Sequence, residues 1–364
     1  MVLGGDTPLA LPLIVDLEKK GYIVIASVST PEAVDLLERK CQGFVRALVL
    51  DPNEVSLDAH LSMKCRSLLF TQPGTIPVFL RSLTSSLSRR FPITAAGDPF
   101  ASPSSHPYIH SVISLLTLSA LTIHAPLEHL SLRNTYLPYL DATHLVPLQV
   151  IQALLPLLRT GPARSHDKGK KTIIICLPAT DARVGLPFAA AQAMSAAATL
   201  RGVEVLRREV NVAALTDKSE SMRNIKVVVV DVGAFNVGTP SNYVPPHNVY
   251  KAMEHWSASE KLTYGPAFFS SILHEAESTP RSYWTAFLSI FKGGSQYGVP
   301  RKPTDIVVFV DTLVGVVGDG RKGASLFGLG LGIGRIRKWI RGERFSVGAG
   351  GELELLKYVL HSPS

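Results

Sequence analysis

Cysteine is scarce in this chain: its 364 residues include 3, and no two of them have CxxC spacing. A sparse, odd set of this kind excludes a disulfide framework and a structural zinc site. The sequence therefore predicts an intracellular, reducing compartment, either the cytoplasm or the surface of an organelle. The three residues are Cys41, Cys65 and Cys176.

Metal-binding patterns are also missing. The 11 histidines form no HExxH segment and no paired ligand spacing. His124 and His129 lie on either side of Glu128, after a predicted strand, where a ligand role is conceivable. Loop histidines are more often simply solvated. We expect no bound metal.

Long hydrophobic runs are missing although the mean hydropathy is +0.20. No uncharged apolar run reaches the roughly 20 residues that a membrane span needs. The longest candidate, from Val112 to Ile123, carries serine and threonine and is better explained as a buried strand. Charged residues make up 18% of the chain and apolar residues 46%, a composition that excludes a mainly disordered protein.

Excess basic charge is confined to one segment. The net charge is +8, and residues 321–344 carry seven basic side chains against one acid, so the rest of the chain is close to neutral and we expect no nucleic-acid partner. Within residues 335–341, Ile336, Trp339 and Ile340 share one helical face. Such a helix either lies on an anionic membrane surface or docks on the domain, and we favour docking.

Short runs rich in valine and isoleucine alternate with helical patterns along the chain. Continuous apolar strands are typical of a parallel sheet that is buried on both faces. The alternation predicts an α/β fold, a doubly wound parallel sheet with right-handed crossovers. The predicted strands are Met1–Leu3, Tyr22–Val28, Ala47–Leu50, Val112–Leu118, Thr172–Cys176, Lys226–Asp231 and Asp305–Val310, and the predicted helices are Leu9–Lys20, Pro31–Lys40, Leu140–Leu158, Pro187–Arg201 and Arg281–Phe291.

Two stretches interrupt the alternation and set the predicted domain boundaries. Residues 71–107 are rich in proline and serine, which predicts a surface insertion, partly disordered, within a domain that spans residues 1–311. Residues 312–364 form a predicted extension with a glycine run and the basic segment. The chain opens on its first strand without the pattern of a signal or transit peptide, and a preceding segment remains a hypothesis.

A glycine turn follows the first predicted strand at once. Such a turn, placed between a strand and a helix, can present backbone N–H groups to a pyrophosphate. The turn predicts a site for NAD(P), with a structural turn as the equally weighted alternative. The predicted cofactor-binding residues here are Gly4, Gly5, Asp6 and Thr7.

Three departures weaken that site. Pro8 stands where the backbone of a dinucleotide-binding turn approaches the pyrophosphate, and proline has no N–H to donate. The second strand ends in Ser27-Val28-Ser29-Thr30, with neither the acid that holds a ribose 2′-hydroxyl nor the arginine that accepts a 2′-phosphate. Asp51, after the third strand, could hydrogen-bond an adenine ring, but it is as readily a helix cap. We therefore expect weak binding at most.

The stretch Gly185-Leu186-Pro187-Phe188-Ala189-Ala190-Ala191-Gln192-Ala193 resembles the short-chain dehydrogenase/reductase (SDR) superfamily at the helix that carries Tyr-x-x-x-Lys. Leu206-Arg207-Arg208-Glu209 matches its Leu-Arg-x-Glu stretch, and Asp231-Val232-Gly233 resembles its Pro-Gly turn. More narrowly, the chain is similar to a fungal family of uncharacterised Rossmann-like proteins. The resemblance covers about residues 1–235 and implies a Rossmann fold, with Gly233 as a further cofactor-binding position.

The same resemblance assigns the catalytic positions, and each has lost its usual residue. Phe188 stands at the tyrosine, Gln192 at the lysine and Thr143 at the asparagine, and Thr180 is the only hydroxyl near the expected serine. Hydride transfer to a carbonyl needs a proton donor at the developing alkoxide, and a tyrosine does this near neutrality only beside a cation. Phe188 has no proton to give, and Gln192 supplies no charge.

Two functions of different class remain. The first is a catalytically degenerate SDR-like protein that acts in binding or as a scaffold and retains weak NAD(P) binding. The second is an active NAD(P)-dependent carbonyl or alcohol oxidoreductase with a non-standard proton donor. Tyr136 and Tyr139 precede the fourth helix and could reach the cleft, although packing on the helix entry is the simpler explanation for them.

The predicted helix 187–201 is rich in alanine, and small residues let a second helix approach closely. In the SDR superfamily the fourth and fifth helices commonly build the dimer interface. The resemblance therefore implies a homodimer through the helices at 140–158 and 187–201. The alternative is ordinary packing of this helix on its own sheet.

Overall fold

A seven-stranded parallel sheet forms the centre of the protein, with the strand order β3-β2-β1-β4-β5-β6-β9. The computed structural model describes residues 1–51, 75–88, 108–118, 122–160, 171–216, 222, 224–233, 235–236, 252–254, 256–276, 304–318 and 344–347. The strands of this sheet are β1 (Val2–Leu3), β2 (Val24–Val28), β3 (Val45–Val49), β4 (Ser111–Ser114), β5 (Lys171–Pro178), β6 (Ile225–Val232) and β9 (Arg344–Val347). A separate parallel pair joins β7 (Phe235–Asn236) to β8 (Thr304–Asp305).

Helices cover both faces of the sheet. They are α1 (Ala10–Lys19), α2 (Pro31–Lys40), α3 (Thr75–Ser88), α4 (Val146–Thr160), α5 (Ala179–Arg183), α6 (Ala190–Thr216), α7 (Ala258–Ala276) and α8 (Ile306–Gly318). One buried cluster joins α1, α2 and α8 to the sheet, and a second joins α3, α4 and α6 to the opposite face. Within β5, Ile174 and Cys176 belong to the first cluster, and Ile173 and Ile175 to the second. A strand buried on both faces has no polar side, which is why the predicted strands are continuous apolar runs.

The helical run that ends in α4 is irregular at its start. π-helical turns at Leu132–Tyr136 and Asp141–Leu145 flank one α-helical turn at Leu137–Leu140. By length and hydropathy, Leu132–Arg159 could span a membrane. The core helix of an α/β protein passes the same test, and Val150, Ile151 and Leu154 are buried against the sheet. One face of the run therefore packs on the sheet.

The expected doubly wound α/β fold is confirmed, but the expected strand Asp305–Val310 is wrong. Residues 306–318 form α8, whose buried positions include Phe309, Val310 and Leu313, while Val307 and Val308 are exposed. That spacing is helical, and a short continuous apolar run is ambiguous between a buried strand and a buried helix. The domain boundary expected after residue 311 falls inside α8. Residues 344–347 of the expected extension pair with β6 as the outermost strand.

The expectation of a surface insertion at 71–107 also needs correction. Residues 75–88 form α3, and Ile76, Phe79 and Leu83 are buried in the second cluster. The proline and serine content concealed an amphipathic helix. The remainder of that stretch, the predicted helix Arg281–Phe291, the glycine run and the basic segment 335–341 lie outside the described residues, so the membrane-or-docking alternative stays a prediction.

The assignment of α8 generates a stability prediction. Phe309→Ala is expected to lower the free energy of unfolding by about 3–5 kcal/mol, because a fully buried ring leaves a cavity between α8 and the sheet. The matched change Val307→Ala, on the exposed face, should alter it by less than about 1 kcal/mol. Urea unfolding followed by circular dichroism measures both. Equal losses at 307 and 309 would indicate a strand instead of a helix.

Candidate functional site

The candidate site lies at the carboxyl edge of the sheet, where the strand order reverses. β1 is flanked by β2 on one side and by β4 on the other, so the crossovers from these strands run in opposite directions. In open α/β sheets, ligands bind in the crevice at this point. The structure brings the predicted residues Gly4, Gly5, Asp6 and Thr7 to this edge, at the end of β1.

The two glycines allow the chain to leave β1 between its neighbours. Gly4 has φ +81°, and a Cβ there would stand 3.3 Å from the Leu115 backbone. A Cβ on Gly5 would stand 3.0 Å from the Ser27 carbonyl oxygen. Gly5 N donates to that same oxygen at 2.5 Å, and Gly4 N donates to the Ser27 hydroxyl at 3.0 Å. Both glycines are therefore explained by packing against strands β2 and β4.

An interaction that the sequence analysis missed closes the turn. The Asp6 carboxylate accepts a 2.5 Å hydrogen bond from the Ser29 hydroxyl and a longer one from Ser29 N. The carboxylate thus lies at the end of β2, where the sequence alone shows no acid. A pairing across 23 residues has no local sequence signal. The acid found there is of the kind that binds a ribose hydroxyl and repels a 2′-phosphate.

The start of α1 has fewer free backbone N–H groups than a pyrophosphate-binding turn normally offers. Thr7 N donates to Gly4 O at 3.1 Å and Ala10 N donates to Thr7 O at 2.9 Å, so both N–H groups are occupied. Pro8 and Pro12 have no N–H at all. An anion at a helix start depends on free backbone N–H groups. Four positions of this turn, Thr7, Pro8, Ala10 and Pro12, therefore offer no free N–H to a phosphate.

The remaining predicted cofactor positions are at the same edge. Asp51 lies just past the end of β3, and Gly233 follows β6. Next to Gly233 the structure shows a second feature that the sequence analysis did not predict. Arg183 donates to both carboxylate oxygens of buried Asp231, at 2.8 and 3.1 Å from Nη2. Burial raises the pKa of Asp231, and the guanidinium opposes that rise.

Thr143 is engaged in a hydrogen-bonded seam between the turns before α4 and helix α6. Its hydroxyl donates to Tyr139 O at 2.7 Å and lies 2.6 Å from the Ser195 hydroxyl. One turn further, His144 Nδ1 lies 2.8 Å from the Thr199 hydroxyl. Because a hydroxyl has a single hydrogen, Ser195 is the donor to Thr143. Thr143 therefore joins two helices.

Gln192 lies in the first turn of α6 and is 6% exposed. Its Oε1 atom is buried without a hydrogen-bond partner. A buried acceptor of this kind costs about 1–3 kcal/mol unless a donor reaches it. The position that the SDR resemblance gives to lysine thus holds a buried, neutral amide.

Phe188 precedes α6, which begins at Ala190 and not at the expected Pro187. Its φ is +65°, a left-handed conformation that is strained for a bulky residue, with a typical cost of about 1–3 kcal/mol. Two contacts hold it there: Phe188 O accepts from Ala125 N at 2.9 Å, and its ring packs edge-on against Phe268 at 5.2 Å. The ring is thus a packing group.

Phe188 belongs to an aromatic cluster that docks α7 on the site. Trp256 contacts the rings of Phe268 and Tyr264 and stacks on His129 at 5.4 Å. Met253 completes the buried group. Four residues of the cluster come after β6 in the chain: Met253, Trp256, Tyr264 and Phe268. Among them, Trp256 contacts His129, which lies in the segment that follows β4.

Two polar contacts reinforce this docking. The Tyr264 hydroxyl donates to Glu128 at 2.9 Å, which raises the tyrosine pKa. His129 Nε2 lies 3.4 Å from Glu260 Oε1.

Burial lowers the pKa of His124. Across the described ranges, no group of three or more His, Cys, Asp or Glu side chains is placed to hold a metal ion.

Tyr139, whose carbonyl oxygen accepts the Thr143 hydrogen bond, forms a titratable pair with Asp181. Burial raises the pKa of Asp181 to about 6, so this carboxyl releases its proton close to neutrality. Burial and the Asp181 charge both raise the pKa of Tyr139. An active SDR tyrosine needs the opposite, a cation that lowers its pKa. Tyr139 is therefore a poor replacement for the missing donor.

Comparison with known proteins identifies the family of the chain. Residues 110–292, half of the chain, match a fungal family of unknown function (DUF1776). The chain belongs to this family. Among curated protein sequences none matches significantly.

Solved structures of dehydrogenases align with this chain. The structure of NAD⁺-bound xylitol dehydrogenase aligns with a TM-score of 0.53 at 12% identity and covers 96% of each chain. A short-chain dehydrogenase from Bacillus anthracis aligns with a TM-score of 0.44 at 15% identity, covering 65% of this chain and 77% of that one. The alignment with xylitol dehydrogenase confirms the expected Rossmann-like fold.

The raised pKa of Asp181 generates a prediction for stability against pH. Because the folded pKa of about 6 lies above the unfolded value, ionisation between about pH 4 and 6 destabilises the fold, and the penalty persists at higher pH. Asp181→Asn should raise the free energy of unfolding by about 1–2 kcal/mol at pH 8 and leave it nearly unchanged at pH 4. Urea titrations at the two pH values test this. A gain of equal size at pH 4 would contradict it.

Proposed function

We propose that this protein is a catalytically inactive member of the SDR fold that acts as a binding or scaffold protein. The packing of Phe188 carries the proposal. Its ring centroid lies 5.2 Å from that of Phe268, so a residue without an ionisable proton occupies the tyrosine position and packs against α7. General acid–base catalysis contributes about 10²–10⁴-fold to such reactions.

The neighbouring groups support the same conclusion. Gln192 carries no charge, so it cannot lower the pKa of a phenol as the family lysine does. Thr143 is committed to Tyr139 O and Ser195. The SDR proton relay needs a donor at the substrate oxygen, a cation beside that donor and an asparagine. The positions of all three hold other residues in this chain.

The second candidate is an active NAD(P)-dependent oxidoreductase whose proton donor has moved, and Asp181 is the observation in its favour. With a pKa of about 6, a fraction of Asp181 stays protonated near neutrality and could act as a general acid. Against it stand the occupied and missing N–H groups at residues 7–12, which support weak NAD(P) binding at most.

Turnover separates the two candidates. With saturating NADH or NADPH and a panel of carbonyl compounds, the wild-type protein should oxidise no cofactor above the buffer rate. A substrate-dependent rate of cofactor oxidation would refute the proposal that the protein is catalytically inactive. Asp181→Asn then identifies the donor, because it should abolish a rate that depends on that carboxyl. In parallel, either cofactor should raise the melting temperature only slightly, since stabilisation follows occupancy of the native state.

We also propose that the chain forms a homodimer through α4 and α6. Met194, Val205, Val212 and Leu215 form an exposed stripe along α6. Their spacings along the chain are close to whole numbers of helical turns, so the four side chains share one side of the helix. Apolar side chains in such a stripe are suited to a second helix.

Light scattering tests the dimer. The wild type should have a mass near 79 kDa, twice the 39.3 kDa of the chain. Val205→Glu, on the stripe, should shift the population to monomer by burying a charge in the interface. Val78→Glu, a control of similar exposure on α3, should leave the mass unchanged. A monomeric wild type would contradict the proposal.

A further inference from the structure

A cavity of about 100 Å³ lies at the amino edge of the sheet. Its lining includes residues that come just before two of the strands. Tyr22 and Ile23 precede β2, and Tyr108 and His110 precede β4. The candidate functional site lies at the carboxyl edge, so this cavity is a separate feature of the molecule.

Most of the lining is aliphatic. It includes side chains from α1, from strands β2 and β4 and from α8, namely Leu17, Val24, Ile25, Ile113 and Val317. Among the described residues, no Asp, Glu, Lys or Arg side chain lines the cavity. A ligand with a formal charge would therefore lose its hydration here without meeting a carboxylate, an ammonium or a guanidinium.

The Met1 amine also lies at this cavity, and it adds no charge near neutrality. The amine donates to Ser111 O at 2.7 Å. Burial lowers the pKa of the amine to about 5, so it is neutral at pH 8. The cavity thus favours neutral molecules.

Aromatic rings form part of the wall and of the opening. Ile23 and Tyr108 line the cavity and are 43% and 38% exposed, so the cavity is open to solvent at these residues. The rings of Tyr22 and His110 lie 6.3 Å apart. The buried Lys171 places its ammonium 5.7 Å from the centre of the Tyr108 ring, which helps to fix that ring. Rings that pack edge-on or offset gain more than their buried area supplies, and a preformed wall lowers the cost of binding.

We propose that this cavity binds a small neutral molecule with a single aromatic ring. An apolar cavity of about 150 Å³ holds benzene. A cavity of about 100 Å³ with an open mouth therefore suits one ring whose polar substituent stays at the surface. The inference goes beyond the proposed function, because it assigns a second binding site apart from the cleft that the SDR resemblance implies.

An NMR titration of the full chain at pH 8 tests the ligand class. Phenol should bind with a dissociation constant of about 1 mM or lower. Cyclohexanol, which is similar in size but not aromatic, should bind at least threefold more weakly, and benzoate, which is charged, at least tenfold more weakly. Failure of phenol to bind would overturn the inference, and so would cyclohexanol or benzoate binding as tightly as phenol.

Variants that retain the wild-type melting temperature locate the site. Ile23→Trp places a large ring at the mouth and should weaken phenol binding at least tenfold, whereas Leu36→Trp, at an exposed position of α2, should leave it unchanged. Tyr108→Leu should weaken phenol binding at least threefold, and Tyr108→Phe, which keeps the ring, should retain the wild-type affinity. Unchanged affinity in Ile23→Trp, or equal losses in the two Tyr108 variants, would refute the proposal.

Discussion

The close approach of the chain to its own sheet at the end of β1 is the constraint on which this structure depends. β1 has two residues and lies inside the seven-stranded sheet, so the chain must turn out between β2 and β4 in very little space. Gly5 meets this requirement with its 2.5 Å bond to Ser27 O, and Gly4 with its left-handed backbone. Because the turn is folded tightly against the strands, several of its N–H groups donate to acceptors within the protein, and few can donate to a ligand.

The overall fold was largely predictable from the sequence because buried parallel strands require apolar side chains on both faces. The valine- and isoleucine-rich runs at β5 and β6 are typical of such strands. The same reasoning failed at residues 306–318, where a helix buried on one side is equally apolar. It failed at α3 for the opposite reason, because serine and proline obscured three buried side chains.

The site was predictable only in part, since its decisive features are contacts between distant residues. The sequence shows that Phe188 and Gln192 lack the groups needed for proton transfer. It does not show that Phe188 takes a left-handed conformation or that its ring meets Phe268, 80 residues further along the chain. Nor does it show that Asp6 bonds Ser29 or that Arg183 neutralises Asp231. Spacing predicts which residues share a helix or an edge, but cross-strand partners depend on tertiary packing.

The outermost strand has a consequence for synthesis and folding. β9 pairs with β6, with Arg344 opposite Val229. The ribosome therefore completes this partner strand about 115 residues after β6. Until then one side of a very hydrophobic strand has unbonded backbone groups, the condition under which strands of different molecules associate. We expect nascent chains that stop short of residue 344 to aggregate or to recruit chaperones, whereas chains that include it can close the sheet.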